Sequence, residues 1–345
     1  MGSSVTVLPF GEKLEVEPGE SVLKAILRQG RFVKYGCKHG GCSTCRAEVV
    51  EGDYDLSDNT SFSLSDADRE AGIVLLCSTF AKDDGLIVDV SQTMDDLTQG
   101  DYLAGQHVQE VVAVVDAIKA LTHDIRWIGL RIDDPAGFQF TAGQYVEVAV
   151  PGLADTWRSF SMANPPGENG RVDLIIKILP GGAFSTALDT QIKPGDSVRL
   201  RGPMGQFGVR LSHRPMVMVA GGSGMAPVLA MLKDLAAAGN RREVTFFYGA
   251  RTCRDLFRLD ELNALAAEHD WLTFVPALSE PSGEDGWEGE TGLVTEVLSR
   301  RYSSTTGMEA YLCGPPPMID AAIEVLKSTG CKERHIYFDR FVPSG

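Results

Sequence analysis

GCKHGGCSTC, Gly36 to Cys45, sets three cysteines among three glycines, and a fourth cysteine, Cys77, follows inside the apolar run GIVLLCS. The spacing is C-x4-C-x2-C, then thirty-one residues, then C. A disulfide knot, a zinc clip and a redox centre are the candidate readings. The chain has seven cysteines, an odd number, and does not open with a basic segment leading into an apolar core. A reducing cytoplasm is therefore expected, where close-set thiols bind metal or do chemistry more often than they pair. Structural zinc sites show two short clips far apart. Here three thiolates share a loop and the fourth is expected on a strand, which is the spacing that binds a 2Fe-2S cluster through Cys37, Cys42, Cys45 and Cys77. Gly36, Gly40 and Gly41 let the loop fold with positive dihedrals and bare amides facing the sulfurs. His39 is read as a solvated loop residue.

Composition sets the frame around that loop. With 345 residues, 43% hydrophobic and 23% charged, the chain is expected to form two or three domains, each with its own core. A net charge of -15 and a pI near 4.9 argue against nucleic acid or anionic membrane as partner. Docking to a basic protein patch stays open. The longest uncharged stretch, PMVMVAGGSGMAPVLAML from Pro215, is interrupted by Gly221, Gly222, Gly224 and Pro227, so it reads as strand, turn and helix rather than a membrane span.

The chain changes character three times. Residues 1–95 hold short strands (VTVL, KLEV, then near 47–50, 73–76 and 86–90) and one helix, SVLKAILRQG, a small α+β domain. Residues 96–107 read as a linker. Residues 108–208 hold strand-like runs divided by Gly, Pro and Asp, the pattern of an antiparallel all-β barrel. Residues 209–345 alternate strand and helix, which implies a doubly wound parallel sheet.

The cluster spacing resembles the plant-type ferredoxin, a β-grasp fold. Over its whole length the chain resembles the NADH-dependent reductase components of bacterial multicomponent oxygenases, which fuse such a ferredoxin to a flavin and nicotinamide module. The resemblance implies a 2Fe-2S cluster, FAD and NADH as cofactors, a monomer, and a hydroxylase component as partner.

Further motifs carry it. RSFSMANPP, Arg158 to Pro166, resembles the flavin signature, in which Arg158 would offset the FAD phosphates, Phe160 pack on the cofactor and Ser161 lie near the redox-active nitrogen. Phe160 stands where many members have tyrosine. PGGAFSTAL, with Gly181, Gly182 and Ser185, supplies backbone amides at an expected helix start, a geometry suited to pyrophosphate. AGGSGMAP follows an apolar strand and precedes a helix, so Gly221, Gly222 and Gly224 can admit a dinucleotide phosphate. It lacks the full Rossmann fingerprint. In CGPPPM, Cys313 would sit beside the nicotinamide and Gly314 in the adjoining turn; FDRF, with Asp339 and Phe341, resembles the terminal strand near the flavin. YGARTCRDL resembles the segment holding the adenosine half. Asp255 suits a ribose hydroxyl and so NADH, while Arg251 and Arg254 leave NADPH open.

Together these residues describe conversion of a hydride, two electrons at once, into single electrons for a one-electron cluster. Ser161, Cys313 and Asp339 are the candidate catalytic residues. KHGGCSTCRAEVVEGDYDL and the Ala163-Asn164 pair resemble di-iron monooxygenase reductases of phenol, alkane or alkene type. The alternatives are a Rieske dioxygenase reductase and a stand-alone diaphorase or flavin reductase.

Overall fold

The computed structural model describes residues 3–31, 33, 35, 38, 40, 44–57, 64–91, 108–132, 138–153, 156–167, 170–283 and 286–341. The chain divides into two compact units, Met1–Val108 and Gln109–Gly345.

In the first unit, β1 (Ser3–Leu8) and β2 (Glu12–Val16) form an antiparallel hairpin, followed by α1 (Val22–Arg28). The Ser21 hydroxyl starts α1 by accepting from the Lys24 amide, and its apolar face buries Val22, Leu23, Ile26 and Leu27. β3 (Arg46–Glu51), β4 (Tyr54–Leu56), α2 (Asp66–Glu70), β5 (Ile73–Leu75), β6 (Thr79–Ala81) and β7 (Asp84–Asp89) follow. The sheet order is β2-β1-β7-β3-β5, with β1 and β7 parallel. This is the expected β-grasp.

The second unit opens with six antiparallel strands: β8 (Gln109–Ala120), β9 (Ile125–Ile132), β10 (Tyr145–Ala149), β11 (Trp157–Ser161), β12 (Arg171–Lys177) and β13 (Ser197–Met204). Their order is β11-β10-β13-β8-β9-β12, and a single bridge between Met162 and Leu174 brings the two edges together into a barrel. Asn164, 2% exposed, splices that seam: its Nδ2 donates to the Arg171 carbonyl (3.0 Å) and its Oδ1 accepts from the Asp173 amide (2.8 Å). The barrel is not purely β, because α3 (Ala183–Thr190) follows β12 and lays Phe184 and Leu188 into the barrel core.

Beyond it run β14 (Met216–Gly221), α4 (Met225–Ala237), β15 (Val244–Ala250), α5 (Leu259–Glu268), β16 (Leu272–Leu278), β17 (Glu290–Thr291), α6 (Val294–Arg301), β18 (Glu309–Gly314), α7 (Pro316–Ser328) and β19 (Ile336–Arg340). The sheet is parallel, in the order β17-β16-β15-β14-β18-β19. The chain winds outward from β14 through β17, then returns to the other side of β14 as β18. β14 and β18 thus flank the topological switch point, and every residue of both is buried. α4 packs between this sheet and the barrel, where Met225, Leu229 and Met231 share one core with Ile125, Trp127 and Ile175. Among the described residues, no helix is long and apolar enough to cross a membrane.

Candidate functional site

Of the expected cluster ligands, Cys45 and Cys77 are described; Cys37 and Cys42 lie outside the described residues. Cys45 directly precedes β3, and the Leu76 amide donates to its carbonyl at 2.9 Å, so the β3–β5 pairing brings the two cysteine segments together. Cys77 is not on a strand as expected. β5 ends at Leu75, and a 3-10 turn, Leu76–Ser78, carries the cysteine, closed by the Thr79 hydroxyl donating to the Leu75 carbonyl at 2.8 Å. The turn is needed because a continued strand would alternate Cys77 away from the edge where Cys45 ends. The two residues are 2% and 8% exposed, and the Ser78 hydroxyl lies 3.6 Å from the Cys77 sulfur. Two buried thiols on adjacent turns, with a hydroxyl against one sulfur, fit an iron-sulfur cluster.

The flavin candidates gather at the edge of the barrel. β11 pairs with β10 in the register Val148–Arg158, Val146–Phe160 and Tyr145–Ser161. Arg158 donates from Nη1 to the Trp157 carbonyl at 3.0 Å, and the Phe160 ring packs at 4.9 Å from Phe184 at the start of α3. Ser161 is buried. Gly182 precedes α3 with no side chain to cap the first amides, and Gly181 takes φ +74° with open space where a side chain would stand. Ser185, one of the expected cofactor contacts, also clasps the turn: its oxygen accepts from the Leu179 amide at 3.0 Å, fixing the turn that aims the helix start. The uncapped amides, the arginine and the packed ring fit a flavin bearing a pyrophosphate.

The nicotinamide candidates meet at the switch point. β18 places Cys313 opposite Ala220 of β14 on one side and Asp339 of β19 on the other. Cys313 is fully buried, and burial, with Asp339 beside it, pushes its thiol well above the usual range. It is a neutral group. A Cβ at Gly224 would overlap the Cys313 carbonyl, and one at Gly221 would lie 2.8 Å from the Met318 sulfur. Gly222, at φ +57°, has open space. Two of these glycines therefore permit close packing and one leaves the backbone bare, which fits the approach of a dinucleotide phosphate. Gly314, adjoining Cys313, takes φ +143°, and the Phe341 amide donates to its carbonyl at 2.9 Å.

Arg251 is exposed just past the end of β15. Asp255 spends Oδ2 on the Thr252 amide and hydroxyl, both at 2.9 Å, and its Oδ1 stands 3.8 Å from His123 Nδ1. Met318, which no motif singled out beyond its place in CGPPPM, is the wall against which Gly221 packs.

Residues 5–82 match the 2Fe-2S iron-sulfur cluster binding domain, residues 112–208 the oxidoreductase FAD-binding domain and residues 218–324 the oxidoreductase NAD-binding domain. The fold and sites define an NADH-dependent iron-sulfur flavoprotein oxidoreductase, with a 2Fe-2S cluster and FAD as cofactors. The chain is 39% identical to the reductase component of phenol 2-monooxygenase from Pseudomonas sp., over 99% of this chain and 95% of that one. It is 40% identical to the reductase component of propane 2-monooxygenase from Rhodococcus jostii, over 96% and 90%. Among solved structures, the Amycolatopsis cytochrome P450 reductase superposes with a TM-score of 0.84 at 30% identity, covering 99% of both chains. The chain belongs to the family of reductase components of bacterial monooxygenases.

Proposed function

We propose that the protein takes electrons from NADH and delivers them to the hydroxylase component of a di-iron monooxygenase acting on a phenol, alkane or alkene, as a cytoplasmic monomer. Its domains on this reading are residues 1–95, 108–208 and 209–345, with 96–107 as linker. One observation carries the reading: a bare glycine, Gly222, at the switch point and an uncapped helix start on the barrel share one compact unit, while the other unit buries Cys45 and Cys77.

FAD, when bound, supplies the conversion of a two-electron hydride into single electrons that a 2Fe-2S cluster accepts. Arg158 and the first amides of α3 bind the pyrophosphate, and Phe160 flanks the cofactor. Gly222 leaves the backbone bare for the dinucleotide, and Gly221 and Gly224 permit the close packing around it. Asp255 offers Oδ1 to a ribose hydroxyl, and Arg251 lies exposed in the same segment past β15. Cys313 gives the nicotinamide a neutral, water-excluding wall; Asp339 and Ser161 supply the polar groups. Cys37, Cys42, Cys45 and Cys77 hold the cluster.

Residues 1–95 carry sixteen acidic against nine basic residues, which suits docking on a basic hydroxylase groove. Single-turnover reduction of a di-iron hydroxylase by the NADH-reduced protein is expected to slow as salt rises, because screening at ~0.15 M confines exposed charges to about 8 Å. A Rieske dioxygenase component serves as the parallel acceptor. If it is reduced faster, the assignment moves to the dioxygenase class.

A further inference from the structure

Residues 205–215 connect the barrel to the parallel sheet, and both of their ends are clamped. On the barrel side, Gln144 Nε2 donates to the Gly205 carbonyl at 3.0 Å, and the absence of a Cβ at Gly143 makes room for the Phe207 carbonyl. On the sheet side stands a buried charge network. Glu309, 2% exposed, pairs with Arg242 at 2.5 Å and accepts from the Tyr311 hydroxyl at 2.9 Å. That hydroxyl in turn accepts from the Arg210 amide at 2.9 Å. Arg242 reaches the Arg210 carbonyl through Nη1 and the Arg214 carbonyl through Nε, both at 2.8 Å. The Glu309 amide closes on the Pro215 carbonyl at 3.0 Å.

The network continues into the crevice. Tyr311 and Tyr337 are register partners on β18 and β19, with stacked rings 5.2 Å apart; two residues on, the register partners are Cys313 and Asp339. Residues two apart on a strand share a face, so the tyrosine pair and the Cys313–Asp339 pair form consecutive rows. The Arg210 guanidinium covers Tyr337 at 4.8 Å, and Phe207, from the barrel's exit, lies 6.4 Å from the Tyr311 ring. Burial pushes the Tyr311 phenol upward, so it stays a donor to Glu309.

Stability alone does not account for this arrangement, since a well-packed apolar set of the same volume often serves a core as well as a buried ion pair. What the ion pair adds is direction: it accepts the connector in one path only. A domain pair joined by an ordinary connector moves by default. We propose that Glu309, Arg242 and Tyr311 are positioning residues that fix the flavin edge of the barrel against the Cys313–Asp339 row, setting the geometry of hydride transfer. The inference rests on the reading of that row as the nicotinamide site.

Tyr311→Phe in the holoprotein tests it, because the ring stays and only the hydroxyl goes. The expected result has three parts: faster amide hydrogen exchange at Arg210, FAD and iron content and NADH dissociation constant within about twofold of the parent, and single-turnover flavin reduction by NADH slowed about ten- to hundredfold, the size expected of misplaced reactants. Arg242→Lys, which cannot reach three partners at once, is expected to act in the same direction. Should Tyr311→Phe fold poorly, Glu309→Gln, which keeps the acceptor and removes the charge, provides the same readouts. Unchanged exchange at Arg210, or faster exchange with unchanged flavin reduction, would overturn the inference. Neither outcome touches the crevice reading, which stands or falls separately on whether Gly224→Ala weakens NADH binding.

Discussion

Cys77 and Cys313 are both buried cysteines at the end of a strand, and the structure prepares them for opposite chemistry. Cys77 leaves a three-residue edge strand on a 3-10 turn, with a serine hydroxyl against its sulfur and the Cys45 segment alongside. Cys313 lies within the sheet interior, between β14 and β19, with Asp339 beside it and its thiol pushed toward the neutral form. A cluster ligand must give up its proton and reach outward to a metal. A residue walling a hydride path must do neither. The difference lies in the place along the sheet, edge turn against central strand, and not in the residue type.

The sharpest way to break this contrast is substitution at each cysteine. Cys77→Ser is expected to strip the cluster, taking iron from about two per chain toward none and cytochrome c reduction to background, while NADH-to-ferricyanide turnover continues because the flavin lies upstream. Cys313→Ala is expected to leave iron content unchanged. Iron assay and the two acceptor assays, run on both variants, check the pair; loss of both activities in a folded Cys77→Ser protein would refute the order of transfer.

Next in size, Arg158→Ala removes a charge-assisted contact worth roughly 1.5 to 3 kcal/mol, so FAD affinity should fall about ten- to hundredfold. Flavin retained through gel filtration at the parental level would return Arg158 to an ordinary surface role. Gly224→Ala sharpens the comparison from the Cys313 side. Its new methyl overlaps the Cys313 carbonyl, and overpacking of this kind costs about 1 to 3 kcal/mol. Denaturation midpoints and NADH titration should both register it, with the iron content of the first unit unaffected.

The smallest expected effect is on alkaline stability. Burial holds the Cys313 thiol and the Tyr248 and Tyr311 phenols above their ordinary values, so the folded chain keeps protons that the unfolded chain loses from about pH 8.5 for the thiol and about pH 10 for the phenols. Their contribution is fully present below those values and declines as pH rises, since the unfolded state then binds fewer protons. Urea midpoints between pH 7 and 10.5 should fall, and Cys313→Ala should delay the onset. A midpoint independent of pH would show that these groups ionise alike in both states.

Much of this was legible in the residues themselves. Alternating strand and helix from Pro215 onward announced a parallel sheet, because βαβ units leave a strong periodic trace. The cysteine spacing named its cofactor. What escaped depended on pairing between distant segments. The sequence places Cys77 on a strand, because the apolar run continues through Leu76 and only the Thr79 hydroxyl on the Leu75 carbonyl shows where extension stops. That the Ser185 oxygen also clasps a turn is not legible in the sequence, because it needs the Leu179 amide in place. Arg242, Glu309 and Tyr311 left no signal, since an ion pair spanning 67 positions has no sequence period.

Asn164 carries a consequence for engineering. At the barrel's seam, where sheet hydrogen bonding is reduced to one bridge, its amide acts as a short piece of strand, donor on one side and acceptor on the other. Aspartate has the length but no donor; serine has both functions but not the reach. The closure of the barrel thus rests on one backbone bridge and one side chain, and the side chain is far easier to edit than a backbone ladder. Graded substitutions at Asn164 offer a dial on how tightly the flavin rim is drawn shut, leaving the chain's route through the fold unaltered.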